Sequence, residues 1–310
     1  MEQTDLGEVI TAMITPFTKE GEHIDYDSLD TLMKQVSNQC DGILLGGSTG
    51  EEPTLSEKEK WMLFRFAKLK LAHKKCKLLV GTGSNDTRKA VEQTRQAYQE
   101  GADAAVVVVP AYNKPPHLMK HYTLVAHAAP QLPIIIYNIP GRTGINMDAQ
   151  TIGQLARQNP NIVGLKQSFS DMDKFSEIKN AVPDSFAIYS GDDSLTLPML
   201  SLGAKGVISV ASHTHGNQIK RMIQDFKQGR VQSAQQQHAK LFPLFKALFM
   251  TTNPIGIKEY LAQKKIIQNN TLRLPLTPME DNERQHFQYL IQQAERKAPF
   301  FSPLLQKGRE

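Results

Sequence analysis

Short apolar runs recur along the first two-thirds of the chain, at 9–13, 42–45, 77–80, 104–109, 134–137, 162–166, 186–189 and 206–210. Each is strand-length and is followed by a polar turn. Between them lie longer stretches whose apolar residues return every three or four positions, the helical period. Near-continuous apolar strands alternating with amphipathic helices predict parallel strands joined by crossover helices. Eight such units within about 220 residues is the spacing of a (β/α)8 TIM barrel. A doubly wound open sheet competes, but it usually carries a glycine-rich phosphate turn after its first strand. Here the first run leads into Thr15, Pro16 and Phe17, and GxGxxG occurs nowhere.

Helix-start signals agree with this rhythm. Asp25 and Ser28 precede 29–36, Ser56 and Glu59 form a capping-box pattern before 60–71, and Asp86 with Thr87 and Asp148 open two more helices. Beyond residue 212 the strand rhythm stops, and 216–227, 233–249, 254–265 and 281–296 read as helices. The expectation is a barrel over 1–225 carrying a helical C-terminal extension over 226–310, with a tail from 300 that shows no clear pattern.

Composition narrows the class. The 310 residues are 40% hydrophobic and 22% charged, ordinary for a soluble globular chain. No apolar run approaches the roughly 18 residues that span a bilayer, and MEQTDLGEVI lacks the basic and apolar regions of a secretory leader. Cys40 and Cys76 form no CxxC and suit small buried hydrophobes in a reducing compartment. A cytoplasmic protein is expected. The net charge of +5 is scattered, which argues against nucleic acid and suits small anionic substrates.

In such a barrel the reactive groups lie where strands end and loops begin. Strand six ends in Lys166, an unusual neighbour for apolar residues, because an ammonium in apolar surroundings is costly. A lysine held neutral is a nucleophile for carbonyl carbon and forms a Schiff base. Strand five ends in Tyr137, whose hydroxyl can relay protons near an imine. The glycine-serine-threonine turn at 46–50 can aim backbone N–H groups at a carboxylate, and Arg142 can grip another carboxylate bidentately. Asp193 reads as a helix N-cap. His213 and His215 form a lone HxH with no third ligand, which favours a loop role over a metal site. Hydroxyls, one lysine, one arginine and no obvious metal or phosphate site fit aldol chemistry on small keto acids.

The motifs GSTGE at 47–51, GTGSND at 81–86, PAYNKP at 110–115, YNIPGRTG at 137–144, GLK at 164–166, SGDD at 190–193 and GVISV at 206–210 resemble those of a known family. It is the family of pyruvate-dependent class I aldolases that contains dihydrodipicolinate synthase and N-acetylneuraminate lyase. The resemblance implies that Lys166 forms the imine with pyruvate and that Tyr137, Thr49 and Tyr112 form a hydroxyl relay, Tyr112 entering from a neighbouring subunit. It implies that Ser48, Thr49 and the Ile208 carbonyl line the pyruvate site. It also implies that Arg142 binds the carboxylate of aspartate 4-semialdehyde, the product being 4-hydroxy-tetrahydrodipicolinate on the route to diaminopimelate and lysine. No metal or organic cofactor is implied, and the assembly would be a homotetramer (a dimer of dimers) or a homodimer.

Two departures stand out. Gln167 follows the lysine where synthases usually carry an acid, which is closer to the lyase branch. Ala111 replaces an aromatic that usually packs across the dimer interface. Where lysine-inhibited relatives place their inhibitor ligands, this chain matches Glu57, Lys60, Lys89 and Ala111, so strong feedback by lysine is not expected. A sister aldolase or dehydratase acting on another aldehyde, N-acetylneuraminate lyase-like or a sugar-acid aldolase, is the second reading. A barrel that binds a keto acid without catalysis is the third.

Overall fold

The computed structural model describes residues 5–112 and 114–300. Asn113 of the PAYNKP motif and the tail from 301 lie outside them. Eight parallel strands close into a barrel in chain order. They are β1 Val9–Ala12, β2 Gly42–Leu45, β3 Lys77–Gly81, β4 Ala104–Val108, β5 Ile134–Asn138, β6 Ile162–Gln167, β7 Ala187–Ser190 and β8 Gly206–Ser209. Each expected run is a strand, its ends displaced by at most one residue. No helix among the described residues is long and apolar enough to cross a membrane.

The chain packs as two compact units. The first, Met1–Glu8 with Lys77–Ile208, carries β3 to β8 and their crossover helices. Its strands are buried almost without interruption, as a sheet covered on both faces requires. Asn161, just before β6, sends its amide nitrogen to the carbonyls of Ala126, Ala129 and Leu132 at 3.0, 3.1 and 3.3 Å. One side chain thus ties the start of β6 to the end of the helix Met119–Ala128 and the turn beyond it. The second unit, Val9–Cys76 with Ser209–Glu310, carries β1, β2 and the C-terminal helices. There Val231–Leu248 packs Leu241, Leu244, Phe245 and Leu248 toward Phe287, Ile291 and Ala294 of Asp281–Lys297. Burying each such aliphatic or aromatic side chain contributes about 1.5–3 kcal/mol. The expected boundary at 225/226 falls inside the helix Ser212–Lys227.

The caps read from sequence form as hydrogen bonds. Asp25 accepts from the Ser28 N–H, Asp86 from Arg88 and Asp148 from Thr151, and Ser56 with Glu59 makes both halves of a capping box. The helix expected from 216 is preceded by a turn from Ser212, which the Ser209 hydroxyl starts by accepting the Ser212 N–H at 2.9 Å and which joins the helix across a kink at His215 (φ −118°, ψ 26°). Two expectations change. His213 lies buried in that turn and His215 buried at the kink, not in a loop. Asp193 is the first residue of the short 3-10 turn Asp193–Leu195, whose N-cap position is Asp192, and the Ser190 hydroxyl takes the Asp192 N–H at 3.2 Å. Cys40 and Cys76 are buried thiols outside any disulfide, as expected.

His213 shows why the histidines belong to the fold. Its Nε2 accepts the Ile14 N–H at 3.0 Å, and its Nδ1 lies 2.7 Å from the Val210 carbonyl. A backbone N–H only donates and a carbonyl only accepts, so the ring is neutral with its proton on Nδ1. His215 likewise meets Thr214 and the Ala298 carbonyl. Burial pushes both down to about 4. The unfolded chain then binds protons below about pH 6.5 that the folded chain refuses until about pH 4. Stability should be undiminished by these groups above pH 6.5 and fall as pH drops toward 4, by up to about 3 kcal/mol for each ring. Urea unfolding of His213→Gln at pH 4.5 and 7 should show a smaller acid loss than the parent chain. An equal loss would remove His213 as its cause.

Candidate active site

Within the first unit, β5 and β6 place Tyr137 directly opposite Lys166. Lys166 is 5% and Tyr137 7% exposed, and Lys166 Nζ lies 4.1 Å from the centre of the Tyr137 ring. Among the described residues no carboxylate pairs with this amine. The face of an aromatic ring attracts a cation without locking it into an ion pair.

The register that brings the two together is not uniform along the pair. Ile134 faces Ile162, whereas Ile135 faces Gly164, so Val163 is an extra residue in β6. Such a bulge shifts all later pairs by one. With even pairing Tyr137 would face Leu165, and a one-residue slip turns a strand's side chains to the opposite face. Gly164 permits the bulge, since a Cβ there would stand 2.5 Å from the Ala187 carbonyl oxygen.

Behind the pair, Asn138 donates to Gln167 Oε1 at 3.1 Å and Asn146 Oδ1 at 2.8 Å and accepts the Met147 N–H at 3.2 Å. It ties the loop carrying Arg142 to β6. Asn138 is fully buried, and its signal in the sequence was a polar residue ending an apolar run. Arg142 is exposed on the turn Pro140–Thr143, which Gly144 ends in left-handed backbone. Lys114, a residue the sequence reading left aside, lies against the same turn, its Cε 2.8 Å from where a Gly144 Cβ would be. Two cations beside one loop favour an anionic ligand.

Tyr112 is 92% exposed and left-handed (φ 68°), with its loop rooted by Asn85 accepting the Ala111 N–H at 2.7 Å. A single chain does not pack it against buried Lys166 and Tyr137. Ile208 is fully buried within β8.

In the second unit, Ser48 and Thr49 open the 3-10 turn Ser48–Gly50. The amides of Gly50 and Glu51 close onto the carbonyls of Gly47 and Ser48 at 3.0 and 3.2 Å. The first amides of a helical turn have no acceptor within it, and here they belong to Ser48 and Thr49. Thr49 is buried, and its Oγ1 accepts from Asn253 Nδ2 at 2.9 Å. Asn253 was not read from the sequence, where nothing marks it beyond a position before proline. Directly after the turn, buried Glu51 meets Lys258 at 2.5 Å. Burial pushes Lys258 down to about 8, and the Glu51 carboxylate holds it from falling further. Lys60, also buried, pairs with Glu52 at 3.3 Å.

The sequence model of the Dihydrodipicolinate synthetase family matches residues 5–294. The chain belongs to that family. Membership makes it an enzyme of the class I aldolase type. It is 47% identical to the 4-hydroxy-tetrahydrodipicolinate synthase of Cyanothece sp. (strain PCC 7425 / ATCC 29141) over 292 residues, 93% of this chain and 98% of that protein. It is 48% identical to the synthase of the same name from Thermosynechococcus vestitus over 281 residues, 90% of this chain and 94% of that one. Among solved structures, a dihydrodipicolinate synthase from Cyanidioschyzon merolae with lysine bound superposes with TM-score 0.90 at 43% identity, covering 94% of this chain and 98% of that one. The Aquifex aeolicus dihydrodipicolinate synthase gives 0.89 at 40% identity, with 95% and 99% covered.

Proposed function

We propose that this family member condenses pyruvate with L-aspartate 4-semialdehyde through an imine on Lys166, giving 4-hydroxy-tetrahydrodipicolinate. The observation that carries the reading is the buried Lys166 amine, without a carboxylate partner, set against the Tyr137 ring by the strand register. Relatives at 47–48% identity bearing the synthase name support it. The amine adds to the keto carbon and water leaves, with Tyr137 moving the protons. Loss of a methyl proton gives an enamine, whose carbon attacks the aldehyde. The substrate amine then adds to the imine carbon, closes the ring and releases Lys166. The net reaction joins the two substrates with loss of one water. The iminium is the electron sink, so the sequence of steps calls for no further cofactor.

In this reading Ser48 and Thr49 receive the pyruvate carboxylate, the Ile208 carbonyl lines the same site, and Arg142, with Lys114 beside it, receives the carboxylate of the aldehyde. Tyr112 completes the relay in a second copy of the chain, in a homodimer or a dimer of dimers acting in the cytoplasm. Gln167 favours a second reading, a sister aldolase with another acceptor. As a buried neutral amide it accepts from Asn138 where an acid would bring charge.

Borohydride reduction with pyruvate should add one pyruvate-derived mass at Lys166, and Lys166→Ala should give none. A wild-type chain that gains no mass sinks the reading. Arg142→Ala should lower kcat/KM for aspartate semialdehyde about 10²-fold, the scale of a lost charged hydrogen bond. Unchanged turnover would favour the sister aldolase. Lysine should leave activity intact at low millimolar concentration, since Lys60 already fills its surroundings with a paired ammonium. Inhibition at micromolar to low-millimolar lysine would overturn that expectation.

A further inference from the structure

The Ser48–Gly50 turn is held by groups that the reaction itself does not use. Glu51, which follows it, is 2% exposed and left-handed (φ 54°, ψ 38°). That conformation is disfavoured for any residue with a Cβ and persists only where the surroundings over-determine it. Here they do. The carboxylate meets Lys258 Nζ at 2.5 Å and accepts the Arg273 N–H at 2.9 Å. Lys258, 1% exposed, also donates to the Thr271 carbonyl at 2.8 Å and lies 4.2 Å from the Phe17 ring centre. On the other side, Thr15 Oγ1 donates to the Gly50 carbonyl at 2.7 Å. A Cβ on Gly50 would come 3.1 Å from the Met13 carbonyl oxygen, so the turn lies hard against the end of β1.

We infer that Glu51, Lys258 and Asn253 are positioning residues that fix the Ser48–Gly50 turn for a keto-acid carboxylate, making the C-terminal helical segment a determinant of pyruvate affinity. The inference rests on the pyruvate reading above. Two physical reasons support it. Asn253 donates to Thr49 Oγ1, which occupies an acceptor lone pair and leaves the Thr49 proton to be donated elsewhere. Glu51 places a carboxylate next to a turn meant for an anion. Lys258 cancels that charge, so the turn keeps its rigidity without repelling the ligand.

The charge argument sets the order of effects. Lys258→Met leaves Glu51 uncompensated beside the turn and should raise the pyruvate KM at least tenfold, with the aldehyde KM within twofold of wild type. Asn253→Ala should raise the pyruvate KM severalfold. Glu51→Gln with Lys258→Met removes both charges together and should fall between wild type and Lys258→Met. The double variant and Asn253→Ala create no lone buried charge, so they carry the test should Lys258→Met fail to fold. Steady-state kinetics on the full chain, with the melting temperature recorded, decide the matter. A lowered melting temperature with pyruvate KM within twofold of wild type means a merely structural clamp and overturns the inference. A wild-type chain without a trapped pyruvate adduct overturns the pyruvate reading instead.

Discussion

The one-residue bulge in β6 is the constraint on which the reactive pair depends. Strands β5 and β6 start in one register and finish in another, and the change falls just before Gly164. Every later residue of β6 inherits it. Without the extra residue the apolar Leu165 would face Tyr137, and the amine would sit on the far side of the strand. The glycine of the GLK motif is thus explained by its neighbour, because the Ala187 carbonyl leaves no space for a Cβ. Bulges of this kind re-aim side chains next to active sites. Here the device is backbone geometry, and it orients both phenol and amine before any ligand arrives.

Around that pair the chain divides its tasks by rigidity. The amine and the phenol stand on strands, the most precisely held elements of a barrel. In the proposed reaction their burial keeps water from competing for the nucleophile. The cations proposed to meet a second substrate, Arg142 and Lys114, stand in the loops after β5 and β4. The turn proposed for the pyruvate carboxylate is a third case. It is a loop, but one clamped by a buried ion pair and an asparagine from the C-terminal segment. Breaking one half of such a pair leaves a buried charge and costs about 3–5 kcal/mol, so the clamp opposes displacement of the turn.

Much of this was legible in the sequence. Strand runs are short and apolar, so they declare themselves by hydrophobicity alone, and the side-chain caps at Asp25, Ser56, Asp86 and Asp148 are local signals that tertiary structure has no reason to override. The helix Met119–Ala128 was harder to see, because it starts at Leu118 with no side-chain cap. Asp171 does cap Met172–Ala181, yet it stands in a polar run where nothing marks the boundary. The histidines show the other limit. Spacing along the chain suggested a loop or a ligand pair, whereas their partners, Ile14 and Ala298, are some 200 and 80 residues away in sequence and invisible to any local reading. Asn253 and Lys258 escape for the same reason, since their partners, Thr49 and Glu51, lie more than 200 residues upstream.

Tyr112 presents the remaining question of physical economy, since a single chain leaves a large aromatic 92% exposed in a strained backbone conformation. Left-handed backbone costs roughly 1–2 kcal/mol for a residue with a Cβ. Among the described residues no contact repays it, because the ring is in water and Asn85 anchors only the preceding residue. Burying an aromatic side chain returns about 2–3 kcal/mol, enough to exceed the strain. The proposed second copy would supply that burial and account for the conformation at once, the strain being balanced where a neighbour covers the ring. Ala111, small where the family resemblance implies an aromatic, would remove apolar area from that same contact, so the association would rest more heavily on Tyr112 itself.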